Sequence, residues 1–270
     1  QHTMVQAETD VNAPAATAKA SPTLAEFVTI ISMMMSLTAL SIDAMLPALG
    51  HISEDLGVAN PNDRQLVVSL IFLGSAIGQL FFGPLSDRTG RKPAIYAGYG
   101  MYIAGSLVSV LSVNFPMMLF GRILQGLGIS APQAVTRAIV RDRFEGRRMA
   151  QVMSFTMTVF ILVPMIAPTI GQGILSFAGW RGIFGSFLVF AMISLVWFAF
   201  RIPETLDPED RSPFSVKRIA GATREILGIR SAIGYTLAAG LVNGVFLGYL
   251  NSAQQVFQEI RSVASVDATV

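Results

Sequence analysis

An all-α membrane protein is the fold class this sequence predicts, and three observations predict it. Of the 270 residues 52% are apolar and only 13% are charged, too little polar surface for a water-soluble domain of that size. Seven apolar runs, at about 24–49, 64–82, 94–113, 116–139, 149–176, 182–200 and 229–257, are each long enough to cross a hydrocarbon core of about 30 Å. Lys and Arg gather in alternate connections between these runs, as they do where positive charge holds loops on the inner side of a membrane.

Taken in order, residues 1–23 are rich in Ala, Thr and Pro without an apolar core, and they read as a disordered cytoplasmic tail instead of a cleavable signal. Residues 24–201 are expected to form an N-terminal six-helix bundle. Residues 202–228, with Pro203, Pro208 and Pro213, read as a central cytoplasmic loop, 229–257 as a seventh transmembrane helix and 258–270 as a polar tail. With the N-terminus inside, the inner segments hold fifteen of the 19 Lys and Arg, and the outer loops hold only Arg64 and Arg181. Trp180 and Trp197 fall at an outer and an inner edge, as interfacial anchors do. The stretch from Gly83 to Pro93 (GPLSDRTGRKP) reads as a short charged loop between two spans, its glycines permitting a tight backbone and its three basic residues keeping it inside. Six helices, a long basic inner loop and a seventh helix match one half of a two-half bundle plus the first helix of the second, so the chain is expected to be truncated.

Several function classes drop out on residue content. The sequence has no cysteine, which removes a disulfide scaffold and thiolate chemistry. Its pI near 9.2 does not point to nucleic acid, because the basic residues lie between apolar runs and not in one aromatic-laced patch. His2 and His51 are the two histidines, both in expected tails or loops, and no G-x-x-x-x-G-K-[ST] phosphate loop occurs. Neither an intramembrane Ser/His dyad nor ATP hydrolysis is expected, no metal set is assigned, and the chain does not read as an enzyme.

Two ionisable side chains fall inside expected spans, Asp43 in the first and Arg122 in the fourth. Each costs about 2.5–3.5 kcal/mol at a helix centre, so each needs a reason. At about 1.5 Å per residue, Asp43 lies about 6 Å and Arg122 about 9 Å below the outer edge of the core, and the two can face each other. One reading is a carboxylate that loads and releases a proton beside Arg122; the other is a static structural pair, or an Asp43 near enough to the surface to be solvated. Gln125 lies one turn from Arg122, and Gly126 lets a neighbouring helix approach. Gly74/Gly78 and Gly240/Gly244/Gly248 have the small-residue spacing of helix packing. Pro164, Pro168, Gly171 and Gly173 would kink the fifth span.

These residues carry a resemblance to the major facilitator superfamily, specifically to its twelve-helix drug:proton antiporters of the Bcr/CflA type. Gly83 to Lys92 resembles the superfamily loop motif G-x-L-[SA]-D-R-x-G-R-[RK] at every defined position. Ile42-Asp43-Ala44-Met45-Leu46-Pro47 resembles the first-helix motif of the exporters, and Arg122-x-x-Gln125-Gly126-x-Gly128 the fourth-helix motif. Ala167-Pro168-Thr169-Ile170-Gly171-Gln172-Gly173 is similar to the fifth-helix antiporter motif, with Ala167 and Gln172 where glycines are usual. Trp180-Arg181-Gly182-Ile183-Phe184 is similar to a W-R-x-I-F sequence of the subfamily.

The resemblance implies a superfamily fold with about seven of twelve helices present, in a multi-pass protein of the inner or plasma membrane. It implies that Asp43 and Arg122 couple transport to protons. Asp87, Arg88 and Arg91 would latch the inner ends, with Gly83 and Gly90 shaping the turn and Arg141 and Asp142 joining the network. The partners implied are protons, an amphiphilic small molecule, membrane lipid and a separate second half, with a proton gradient in place of any cofactor. The rival readings are a metabolite or sugar symporter of the same superfamily and a truncated membrane module that does not transport.

Overall fold

The computed structural model describes residues 22–212, 221, 224–242, 244–245 and 248–249. The expected disordered tail, part of the central loop and the polar tail lie outside the described residues, as do some positions of the expected seventh span. All regular structure among the described residues is helical. Helix α1 (Leu24–Asp43) is capped by Thr23, whose hydroxyl accepts from the Glu26 amide. A 3-10 turn (Leu46–Ala48) with Pro47 in its first positions leads to α2 (Leu49–Asp55). Then come α3 (Leu66–Thr89), α4 (Arg91–Val110), α5 (Phe115–Arg143) and α6 (Gly146–Arg201).

Among the described residues three helical segments, Leu24–Asp55, Asn62–Thr89 and Gly146–Arg201, are long and apolar enough to cross a membrane. Helix α4 is richer in Gly, Ser and Tyr, with Gly98, Tyr99, Tyr102, Gly105, Ser106 and Ser109 buried, and α5 carries four Arg, of which Arg122 is buried. Helix α5 lies between α3 and α4, while α1 packs chiefly on α6. A Cβ on Gly74 would meet the backbone of Ile123 and Leu127, and one on Gly126 would meet the Ile71 carbonyl. At Gly74, Gly78 and Gly126 the small-residue spacing therefore brings α3 and α5 together backbone to backbone, whereas at Gly240, Gly244 and Gly248 the expected packing is not met, because nothing among the described residues lies within 4 Å of an added Cβ. The apolar core runs along the bundle from Phe27 and Phe144, edge to face at 5.1 Å, to Trp180, Phe184 and Phe187 at the other end.

Four expectations are corrected. The first apolar run does not continue as one helix to residue 49, because α1 ends at Asp43 and the chain turns at Met45-Leu46-Pro47, where proline has no amide hydrogen to extend the ladder. The loop expected at 83–93 shrinks to one residue. Helix α3 runs through Gly83 and Pro84 to Thr89, with the Ser86 and Thr89 hydroxyls bonded back to the Gly83 and Leu85 carbonyls, and only Gly90 (φ +103°) leaves helical geometry. Gly83 thus sits inside a helix and shapes no turn. Likewise the connection expected at 177–181 is a break at Gly179 alone (φ +67°), dividing α6 into arms 146–178 and 180–201. The first arm passes Pro164, Pro168 and Gly171 without a residue outside helical φ/ψ. In the region expected as the seventh span, residues 230–242 are helical and, apart from the half-buried Ala232 and Ile233, exposed.

Candidate functional site

A cavity of about 780 Å³ opens between α1, α3, α5 and the first arm of α6. Its walls are mostly apolar, from Ile42, Leu46, Ile71, Phe72, Phe160 and Ile161 among others. Asp43, at the last position of α1 and only 6% exposed, opens onto it. Pro164 and Pro168 line the facing wall. Gly171, one turn beyond Pro168, lies against the Ala44 backbone, where an added Cβ would be 2.6 Å from the Ala44 carbonyl carbon. The fifth-span motif therefore presses on the point where α1 ends, next to Asp43.

Arg122 is fully buried and does not line this cavity. Its Nε donates to the Val67 carbonyl at 2.8 Å, Nη1 to Gln125 Oε1 at 2.7 Å and Nη2 to the Ser41 carbonyl at 3.0 Å. Gln125 passes the chain on, donating from Nε2 to Ser106 Oγ at 2.7 Å, and the guanidinium lies 5.6 Å from the Phe184 ring. The expected facing pair is corrected here: among the described residues no ion pair within 4.0 Å joins Arg122 to Asp43. The reason is the end of α1. Ser41 is one of its last residues, so its carbonyl has no helical amide to accept from and lies at the negative end of the helix dipole. Arg122 satisfies that carbonyl, and the carboxylate two residues on is left to face the cavity. Ser41 is held from its other side as well, by a 2.6 Å hydroxyl–hydroxyl bond to Tyr102.

At the other end of the bundle, Arg91 gathers the second cluster. It is 3% exposed, pairs through Nε with Asp142 Oδ2 at 2.8 Å and through Nη1 with Asp87 Oδ1 at 2.6 Å, and also donates to Ser86 Oγ at 2.9 Å. Burial pulls the Arg91 guanidinium down from its ordinary value, but the bonds to Asp142 and Asp87 outweigh it and leave the group above that value, so it stays charged. Gly90, with its positive φ, exposes the first amides of α4, and the Glu204 carboxylate accepts from the Arg91 and Lys92 amides at 2.8 and 3.0 Å. A Cβ on Gly90 would be 2.7 Å from Glu204 Oε2. The segment after α6 is thereby strapped to this corner, with Ser212 donating to the Asp87 carbonyl and the Thr205 hydroxyl to Asp142.

Of the residues singled out from sequence, the structure brings together Asp87, Gly90, Arg91 and Asp142, and separately Arg122, Gln125 and Gly126. Arg88 and Arg141 are exposed. Sequence reasoning missed Glu204, Ser41 and Tyr102, because each acts through a partner distant in the chain and none belongs to a matched motif, while Ser86 stood in the loop motif without a role assigned to it. It also missed Glu26, paired with Arg201 and accepting from Trp197 Nε1 at 3.3 Å, so Trp197 is tied to the bundle by its polar edge. Trp180, expected at an interface, is 3% exposed and donates to Asp55 Oδ2 at 2.7 Å, with Arg181 stacked 4.0 Å over its ring.

A bundle of close-packed apolar helices, with one carboxylate facing a cavity and an arginine–carboxylate knot at its far end, defines a multi-span membrane protein with a solute-sized chamber. Residues 27–267 match the family model described as Major Facilitator Superfamily, and the chain belongs to that family of membrane transporters. It is 34% identical over 237 residues to an uncharacterized MFS-type transporter, YdgK, of Bacillus subtilis, covering 87% of this chain and 59% of that one. It is 32% identical over 240 residues to the bicyclomycin resistance protein homolog of Haemophilus influenzae, covering 88% of this chain and 59% of that one. The chain thus spans 59% of the length of either relative. Among solved structures, the human organic anion transporter MFSD10 (TETRAN) superposes with a TM-score of 0.54 at 21% identity, over 74% of this chain and 53% of that one, a likeness of fold.

Proposed function

We propose that the protein is a proton-coupled exporter of amphiphilic, drug-like compounds, seated in the inner or plasma membrane with its N-terminus on the cytoplasmic side. The observation that carries this reading is Asp43: a 6%-exposed carboxylate, with no cation within ion-pair distance among the described residues, opening on an apolar cavity of about 780 Å³. That volume suits one drug-sized molecule. A carboxylate unpaired by Arg122 is free to exchange a proton with whatever enters the chamber, and a bound cation or proton can satisfy it in turn. The similarity to a bicyclomycin resistance protein homolog supports export of a foreign compound.

The arginine knot suits the other requirement, a two-state element. Asp142 and Asp87 come from the ends of two helices and meet on Arg91 at the start of a third, so rocking these ends apart would break charged bonds that re-form on return. In this reading the knot latches the inner face while Asp43 is open to the outer one.

The test is efflux from membrane vesicles carrying the protein at its natural length. Asp43→Asn is expected to abolish efflux driven by a pH gradient, at least about 100-fold, while the protein reaches the membrane at wild-type level. Unaltered gradient-driven efflux in that variant would sink the proposal, and inward movement of substrate with protons would replace it with symport.

A further inference from the structure

The cavity that Asp43 faces also holds a polar group unlike its other walls. Thr38 on α1, Ser75 and Gln79 on α3 and Gln133 on α5 line it together. Gln133 Nε2 donates to Thr38 Oγ1 at 3.0 Å, and Gln133 Oε1 accepts from Gln79 Nε2 at 3.3 Å and from Ser75 Oγ at 3.4 Å. Gln79 Nε2 also reaches Ser75 Oγ at 3.3 Å, so four side chains from three helices form one cluster.

The count of donors and acceptors shows that the cluster is not closed on itself. A primary amide offers two N–H donors and an acceptor oxygen with two lone pairs. Gln79 Oε1 accepts nothing among the described residues, and Gln133 Nε2 has one of its two protons engaged. Gln79 is exposed, Gln133 is half-buried and both line the chamber, so a guest there can reach their unused groups. Long contacts of 3.3–3.4 Å within the cluster leave it able to re-form around a guest. None of the four residues carries charge, and Thr38 lies five positions before Asp43 on α1, about 7.5 Å along the axis. The chamber thus has two polar stations in an apolar wall, one anionic and one neutral.

We infer that Thr38, Ser75, Gln79 and Gln133 form a neutral hydrogen-bonding subsite that recognises an uncharged polar group, an amide, carbonyl or hydroxyl, on the apolar body of the transported compound. Asp43 and this subsite then divide selection: lipophilic cations need the first, neutral polar amphiphiles the second. A site built to pair with polar groups discriminates because an unmatched guest leaves the amides unpaired. The inference rests on the cavity being the substrate chamber proposed above.

Equilibrium binding to the purified protein of natural length separates the two ideas, using probes matched in bulk: 2,2,2-triphenylacetamide, a neutral amide, and methyltriphenylphosphonium, a cation with no hydrogen-bonding group. Gln133→Leu keeps the side-chain size and is expected to lower the ratio of amide to phosphonium affinity about tenfold. Gln79→Leu, at the exposed end of the cluster, is expected to lower it by about fivefold and decides the matter if Gln133→Leu does not fold. Equal losses for both probes, no change for either, or failure of the wild-type protein to bind the amide would overturn the subsite. A shifted ratio in a protein that moves neither probe across vesicles would leave the subsite standing and overturn the export reading instead.

Discussion

Two arginines, Arg91 and Arg122, are both nearly out of solvent, yet they are neutralised in opposite ways. Arg91 sits at a corner where three helix ends meet and is held by two carboxylates, one of them 15% exposed and the other 52%. Arg122 sits deep between helices, and its hydrogen-bond partners among the described residues are two backbone carbonyls and an amide oxygen. The lesson is that the fold uses ionic pairs where elements can separate and dipolar partners where they must not. An ion pair at a wet corner can be broken and re-formed, because water rehydrates both charges as it opens. A guanidinium among carbonyls has no such exit, since opening it would strand a charge in the core.

Removing Arg122 sharpens that contrast most. Arg122→Met leaves the Ser41 and Val67 carbonyls and Gln125 without their donor, and it should cost about 3–5 kcal/mol in stability, read as a fall in melting temperature in detergent. Arg122→Lys should not rescue it, because one ammonium cannot span three acceptors that a planar fork reaches. A destabilisation of Arg122→Met that Asp43→Asn reproduced would break the comparison, by implying that the two share a charge after all.

Asp142→Asn comes next, at about 1–3 kcal/mol, since it unpairs a buried guanidinium that Asp87 alone must then hold. Unlike the loss at Arg122, it should shrink as ionic strength rises from about 0.01 to 1 M, because the corner is open enough for screening. Glu204→Gln should cost about 0.5–1.5 kcal/mol through the weakened cap on α4, and it should increase proteolytic cutting near residues 202–212. Arg88→Ala should change stability by less than about 0.5 kcal/mol, being an exposed side chain away from the knot. A large loss at Arg88 would show that the knot extends onto the surface.

The legible part of the molecule was that written along one dimension. The positions of the apolar runs foretold α1 and α3 to α6, the glycine spacing at Gly74 and Gly78 foretold close packing, and the charged run at 83–93 foretold the place of the Arg91 knot. Helix ends were the weak point. Pro84 looked like a loop residue, although a proline one residue after Gly83 can be carried by a helix that loses a single ladder bond. Pro47 looked like part of a span, although it ended one.

By itself, then, the sequence determined which runs are helical, which of them are apolar enough for a membrane and which family the chain belongs to, because burial in lipid forces length, apolarity and loop charge to be written locally. Tertiary structure alone decided which partner each charge has. Glu204 caps α4 from 113 residues away, and Arg122 takes the Ser41 carbonyl from 81 residues away in place of the nearby carboxylate. Such choices depend on where helix ends stop and meet, and an unsatisfied carbonyl at a helix end appears only once the helix has an end.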